Sequence, residues 1–335
     1  MALLLRMKCI PVLAAAGCLM SATGICRSGT SLLSLLSDAT ETLLPTPTRT
    51  RTHTASATPT VPSPTPTATA TITLTPTKTL TPSLEPDAWQ SMPIVPVPSE
   101  NARRIYYAGL GLKNDPHAFS ILGDCLSLPG NLFGEMGKGP NHYKLGPYTA
   151  LEPAVEWFTD SFGRYGITRV NGFNTASVLS PLLANPLECQ GDESPIACEY
   201  RVHHPSFAII ALGTDDNASS PEAYEERMRK IIEYTIDRGI VPILATKADN
   251  REGNHAFNRI VASLSYEYGL PMWNFWAAVQ PLPLHGLIDN RGHLTWADPD
   301  DLSSEFGMTR AVPVHTLTAL QTLDSVWRGV TVPKL

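Results

Sequence analysis

The chain has no excess of basic residues. Lys and Arg number 25 against 31 Asp and Glu, a formal net charge of −6, so it offers nucleic acid no basic surface. No basic amphipathic stretch marks a membrane-surface helix. The Gly-rich segment 130–147 is not a phosphate loop, because Leu132 stands where the G-x-x-x-x-G-K pattern requires glycine. Cysteine is sparse, with 6 residues. No second Cys/His pair stands at ligand spacing from Cys189 and Cys198, which removes a structural zinc reading. No internal repeat is visible. Large apolar residues are nearly missing from 45–86, which is almost entirely Thr, Pro, Ala and Ser. Such a stretch cannot build a core.

What is present divides the 335 residues into three parts. Residues 1–26 carry Arg6 and Lys8 and then an apolar segment from Ile10 to about Ile25. That is the layout of a secretory signal or a short uncleaved anchor. Ala14-Ala15-Ala16-Gly17-Cys18 also has the outline of a lipoprotein cleavage site with Cys18 as the lipidated residue, and cleavage near Gly24 is the alternative. Residues 27–95 form a Thr/Pro-rich linker, extended and polyproline-like. At about 3.1 Å per residue its low-complexity part reaches on the order of 100 Å, the length of a stalk that holds a domain away from a cell envelope. Residues 96–335 remain, enough for one well-buried domain. Secretion or cell-surface display is the expected location.

Within that domain, Phe119–Leu122 and Phe207–Leu212 are apolar runs suited to strands buried on both faces. Val241–Thr246 and Met272–Phe275 read as further strands, Arg104–Leu110 as a short edge strand, and Ile167–Val170 as an extended segment leading to Asn171-Gly172. Ser220-Pro221-Glu222 opens a helix with a cap, a first-turn proline and an early acid. Tyr224, Met228, Ile231 and Thr235 form its inner face, and Gly239 ends it. Helices follow over His255–Tyr268 and from about Val314 to Trp327, and the segment from Thr175 to Leu183 also looks helical. Val155, Phe158 and Phe162 share one helical face. Strand–helix alternation predicts an α/β fold: a doubly wound, flavodoxin-like parallel sheet in three α/β/α layers. Cys189 and Cys198 flank a polar loop and, in an exported protein, predict a disulfide worth about 2–3 kcal/mol; two unpaired loop thiols are the alternative.

The predicted strands end in polar residues: Asp124 and Cys125, Asn171 and Gly172, Asp215 and Asp216. Open α/β sheets place their chemistry at that carboxyl edge. An acyl-transfer site needs a nucleophile, a base, an orienting group and oxyanion donors. Cys125 supplies the first and His293 the second, with His285 in reserve on the same loop. Asn290 or Asp289 orients the imidazole. The N–H groups of Gly172 and Cys125 serve as donors.

Four blocks in this order resemble the SGNH, or GDSL-type, esterase/lipase superfamily from Phe119 to about Trp327. Gly123-Asp124-Cys125 stands where the superfamily has Gly-Asp-Ser, and Gly172 matches the glycine of its second block. Gly213-Thr214-Asp215-Asp216 corresponds to Gly-x-Asn-Asp, and Asn290-Arg291-Gly292-His293 to Asp-x-x-His, with Asp289 one residue further back. The resemblance implies an SGNH-hydrolase-like fold and ester hydrolysis through an acyl-enzyme on Cys125, with His293 as base. Asn290 and Asp289 would hold the imidazole, Gly172 and Asp215 would sit at the oxyanion, and Asp124 and Asp216 near the substrate. It implies no metal and no cofactor.

Serine has become cysteine, a better intrinsic nucleophile once its proton is removed, and a Cys–His–Asn set is the papain-like arrangement. Asp215 in place of asparagine is harder. Ionised, it cannot donate, and one lost oxyanion donor costs about 3–4 kcal/mol. It serves if protonated, and Asn217 replaces it only in a shifted turn. The expected substrate is a small-molecule or carbohydrate ester, with an acylated envelope polysaccharide or lipid suggested by location. The alternatives are a surface binding module that kept the fold and lost the chemistry, and an acyltransferase.

Overall fold

A computed structural model describes residues 84–332. The segment read as signal or anchor, with Cys9, Cys18 and Cys26, and the Thr/Pro-rich stretch to residue 83 lie outside the described residues. Four strands form one sheet: β1 (Asp115–Gly123), β2 (Pro205–Ala211), β3 (Val241–Ala245) and β4 (Met272–Trp273). Their order is β1-β2-β3-β4 and every pairing is parallel. Seven α-helices accompany them: α1 (Glu100–Gly111), α2 (Glu152–Trp157), α3 (Pro195–His203), α4 (Pro221–Asp237), α5 (Ala256–Tyr268), α6 (Phe275–Val279) and α7 (Ala311–Thr331).

The apolar runs of β2 and β3 are buried throughout, as parallel strands covered on both faces must be. Sequential parallel strands with right-handed crossovers put α4 and α5 on one face. The contacts agree: α4 packs on α5, while α1 packs on α7 and so does α2, from the first part of the β1–β2 connection. This is an α/β fold compatible with three α/β/α layers.

One short segment changes the meaning of the strand order. Gly123 pairs with Ala211 of β2 and also makes a parallel bridge to Arg169. Its N–H donates to the Thr168 carbonyl, and Val170 N–H donates to the Gly123 carbonyl. A residue with two ladder partners has one on each side, so 168–170 flanks β1 opposite β2. The chain therefore steps outward from β1 to 168–170 and then back across β1 to β2. Such a reversal makes the carboxyl end of β1 a topological switch point, where open α/β sheets form their ligand crevice.

Several boundaries differ from the sequence reading. Arg104–Leu110 is part of helix α1 and not an edge strand. Ser99 Oγ caps this helix by accepting from Ala102 N–H, and Ala102, Ile105, Tyr106 and Gly109 are its buried stripe. The packed body starts earlier than residue 96, since Trp89 is fully buried and its carbonyl accepts from Asn274 Nδ2 at 2.7 Å. Ser177–Leu179 and Pro181–Leu183 are single 3-10 turns, not one helix. The fourth strand stops at Trp273 because Asn274 turns to cap α6. Val155, Phe158 and Phe162 are all buried although α2 ends at Trp157; Phe158 and Phe162 meet Phe119 of β1 edge-on.

Cys189 and Cys198 are joined in a disulfide with their Cα atoms 5.2 Å apart. Cys198 lies on α3, which begins at Pro195 inside the stretch read as loop. No described helix is long and apolar enough to cross a membrane.

Candidate functional site

At Gly123 the chain leaves β1 against the side chain of Ser127. A Cβ there would sit 2.1 Å from Ser127 Oγ, so the tight exit requires glycine. Asp124 Oδ1 then accepts from Leu126 N–H at 2.8 Å and caps the turn Cys125–Ser127. Cys125 is half-buried at its start. Two side chains hold this loop from behind. Asn131 Nδ2 donates to the Cys125 carbonyl at 2.8 Å. Arg169, only 2 % exposed, donates to the carbonyls of Ser127, Leu132, Phe162 and Arg164. Burial lowers its guanidinium to about 9, so it stays charged at neutral pH and ties the strand edge to the loop.

Burial, with Asp215, Asp249 and Asp216 nearby, pushes Asp124 up to about 8 against the pull of the Leu126 N–H. At neutral pH Asp124 is therefore mostly a neutral acid, which limits the negative charge beside Cys125. Ser127 and Asp124 border a small cavity of about 20 Å³ that also touches Thr246, Lys247 and His315. That is room for a single water molecule and not for a substrate.

The end of β2 supplies the turn Thr214–Asp216, entered through Gly213 at φ 140°. Asp216 is 1 % exposed. Its carboxylate accepts from Thr175 N–H at 3.0 Å and Thr175 Oγ1 at 2.5 Å, and lies 3.6 Å from Arg227. Asp124 and Asp216, expected near the substrate, are thus internal: one is a cap, the other a clamp. Asp215 is half-buried. Burial raises its carboxyl, Arg251 and His293 lower it, and Asp249 raises it again, with a net upward shift. A raised acid is protonated more often and then has a hydrogen to donate. Asn217 is not placed to replace it: its Nδ2 donates to the Thr214 carbonyl within the same turn, at 3.3 Å.

Gly172, at φ 79°, is exposed with open space beside it. The loop it belongs to is shaped by Asn174. That side chain accepts from Ala176 N–H, Ser177 N–H and Ser177 Oγ, and its Nδ2 reaches the Asp215 carbonyl at 3.4 Å. Asn174 joins the second block to the third.

The third segment is a tight turn closed by a Leu287–Leu294 bridge. Asp289 Oδ1 accepts from Arg291 N–H at 2.9 Å and His293 N–H at 3.2 Å, while Oδ2 lies 2.7 Å from His293 Nδ1. Burial raises the Asp289 carboxyl slightly, but the bonds from His293 and Arg291 outweigh it and leave it below its ordinary value. An ionised Asp289 fixes the tautomer with the proton on Nδ1 and leaves Nε2 as acceptor. Asn290 is exposed, so of the two orienting groups foreseen the carboxylate is the one on the imidazole. His285 is exposed and its Nδ1 lies 3.0 Å from the Gln280 carbonyl. Gly292, at φ 89°, seats the turn on the sheet edge. A Cβ there would meet Thr214 Cγ2 at 2.9 Å and Asp249 Cγ at 3.1 Å.

Asp215 thus comes within electrostatic reach of both Asp124 and His293 around the ends of β1 and β2. The scaffold beneath them was not foreseen. Thr214 Oγ1 donates to Asp249 at 2.8 Å, Lys247 Nζ bonds Asp249 and Glu252 at 2.6 Å each, and Arg251 donates to the Thr214 carbonyl at 3.0 Å. The only local signal for it is the run of charges Lys247–Glu252 directly after a strand. Among the described residues, one trio of metal-capable side chains lies close together: Cys189, Glu193 and Cys198. Its sulfurs are joined in the disulfide and Glu193 is bonded to Arg201, so it presents no thiolate to an ion. No protein-family profile and no curated protein matches the chain.

Proposed function

We propose that the domain is an exported hydrolase of the SGNH type that cleaves carboxylic esters or thioesters of acylated carbohydrate or lipid. The observation that carries this reading is the Asp289–His293 pair, held by Gly292 against the end of β2, with Asp215 close enough to feel the charge of His293 and to raise Asp124 at the exit from β1. Nucleophile and base come from separate segments: Cys125 from the exit of β1, and His293 with its orienting Asp289 from one turn that Gly292 seats against Thr214. The fold supports the same reading: placing 168–170 outside β1 gives the strand order of a doubly wound sheet, with Cys125 at its switch point.

His293 Nε2 takes the thiol proton as the Cys125 sulfur attacks the ester carbonyl. The tetrahedral oxyanion is met by the N–H groups of Gly172 and Cys125, with Asp215 adding a donor in its protonated form. Collapse expels the alkoxide, which takes the proton from His293 and leaves a thioester on Cys125. Water, deprotonated by His293, then attacks that thioester. The carboxylic acid departs and the thiol is restored. Asp289 holds the imidazole and stabilises its charged form. The disulfide fits an oxidising compartment, and with the predicted leader and stalk favours secretion or envelope display.

The full chain is to be assayed with short acyl p-nitrophenyl esters, with iodoacetamide labelling of Cys125 in parallel. Turnover lost in both Cys125→Ala and His293→Ala supports the reading. No turnover together with an inert thiol removes it. A second reading is a binding module that has lost the chemistry. It draws on Asp215 at the third block, a carboxyl group where the hydrolases of the resembled superfamily carry an amide donor. It predicts ligand binding unchanged in Cys125→Ala and no turnover in the parent chain.

A further inference from the structure

We infer that the cleft between the Cys125 loop and the segment following His293 is a sugar-binding subsite, which makes the substrate an acylated carbohydrate. The inference deepens the hydrolase reading and rests on it for the position of the scissile ester. The cleft has a volume of about 360 Å³ and is lined by Pro129, Gly130, Lys138, Tyr165, Trp296 and Asp300, among others. That volume lies within the range of small-ligand sites.

Its walls belong to the segments that carry the chemistry. Asn131 anchors the Cys125 carbonyl, and the Gly130 carbonyl next to it accepts from Trp296 Nε1 at 3.1 Å. Trp296 lies three positions after His293. Trp296 thus ties the segment that follows His293 to the loop that follows Cys125.

The lining is mostly apolar with charged side chains set among it, which suits the amphipathic surface of a sugar. Trp296 is 63 % exposed and Tyr165 69 % exposed, so two aromatic faces are open to a pyranose ring. An amphipathic ring can stack on the C–H face of a sugar while the sugar hydroxyls stay with polar groups. Those groups are present: Glu135, Lys138 and Asp300. An aliphatic tail lying over them would offer no hydrogen bonds in place of the water it displaced. The floor is built and not incidental. Asp300 Oδ2 accepts from Glu135 N–H at 2.9 Å, and Gly134, at φ 37°, lets the backbone close on that carboxyl, which a Cβ would meet at 1.8 Å.

The test uses full-length Cys125→Ala, which binds without turnover. Calorimetric titration is made with neutral β-1,4-linked hexasaccharides of xylose, mannose, glucose and N-acetylglucosamine, each plain and O-acetylated. At least one should bind, and affinity should fall tenfold or more when Trp296→Ala or Tyr165→Ala is added. In the active chain, the Trp296→Ala loss of kcat/KM on the acetylated hexasaccharide should exceed its loss on p-nitrophenyl acetate by tenfold or more. No binding by any of these sugars, or equal binding with and without Trp296, overturns the subsite. The two failures are separable. Sugar binding without ester turnover removes the hydrolase and leaves the subsite. Turnover that requires Cys125 but is indifferent to Trp296 leaves the hydrolase and removes the subsite.

Discussion

Two charged clusters meet at the end of β2, and they are built oppositely. Lys247 with Asp249 and Glu252 is almost fully enclosed, the side chains 8 %, 3 % and 3 % exposed. The Asp289–His293 pair is one-third exposed on each side. Burial of the first makes it a brace: each charge has a fixed partner and none is accessible. The second binds one imidazole nitrogen to Asp289 and leaves part of the ring open to water. A structural ion cluster and a candidate catalytic pair are thus told apart by what water can reach, and Gly292 is where one rests on the other.

The contrast can be broken from either side. The largest effect on chemistry should come from His293→Ala, with about 10²–10⁴-fold lower kcat/KM on acyl p-nitrophenyl esters and little change in denaturant midpoint. Lys247→Met should do the reverse and cost about 3–5 kcal/mol of stability by leaving Asp249 and Glu252 buried without their cation, read by urea unfolding. Gly292→Ala joins the two regions, because the added carbon and the positive φ push the His293 turn off Thr214. It should lower turnover about 10²-fold through misplacement, with KM changing less than kcat. The smallest effect belongs to Asn290→Ala, which should stay within about twofold, whereas Asp289→Ala should lose on the order of 10²-fold.

Proton linkage sharpens the same comparison. Asp124 holds its proton in the fold up to about 8 and Asp300 up to about 7, while both release it near 3.8 when unfolded. The folded state then binds more protons, so these acids lower stability as pH rises from about 4 to 7 or 8. His315 and His203 are held down to about 4 from 6.5. The unfolded chain binds more protons there, and stability rises across that lower window. Above about 6.5 the histidines no longer oppose the acids, so stability should fall toward pH 8. Asp124→Asn keeps the oxygen that caps Leu126 and should flatten that fall, as measured by urea midpoints between pH 6.5 and 8.

The main strands and long helices were legible because each has one strong local cause. Phe207–Leu212 is uniformly apolar, Ser220-Pro221-Glu222 is a helix start, and Gly269 ends α5 in the left-handed region. Helix α1 was misread because Ile105, Tyr106 and Tyr107 carry high strand propensity. Its cap at Ser99 and the spacing Ala102, Ile105, Tyr106, Gly109 were the better signals. Around the candidate site, short blocks marked the exit from β1 at Asp124 and Cys125, the turn at Asp215 and the turn at His293, because strand ends and Gly-containing turns are local features. Arg169, Asn174, Asp249 and Trp296 had no such mark. Arg169 matters through four carbonyls distant in sequence, and Trp296 through being left exposed; both follow from packing. The exchange of Asn290 for Asp289 turned on one residue of register, which only the closed turn fixes.

The most direct test of the account is peptide mass spectrometry of the full chain, acid-quenched during turnover of p-nitrophenyl acetate. The account predicts one acetyl group on the peptide bearing Cys125, present in the parent chain and missing in Cys125→Ala. Ester turnover with no acyl group on that peptide, or with the group on another residue, would contradict it.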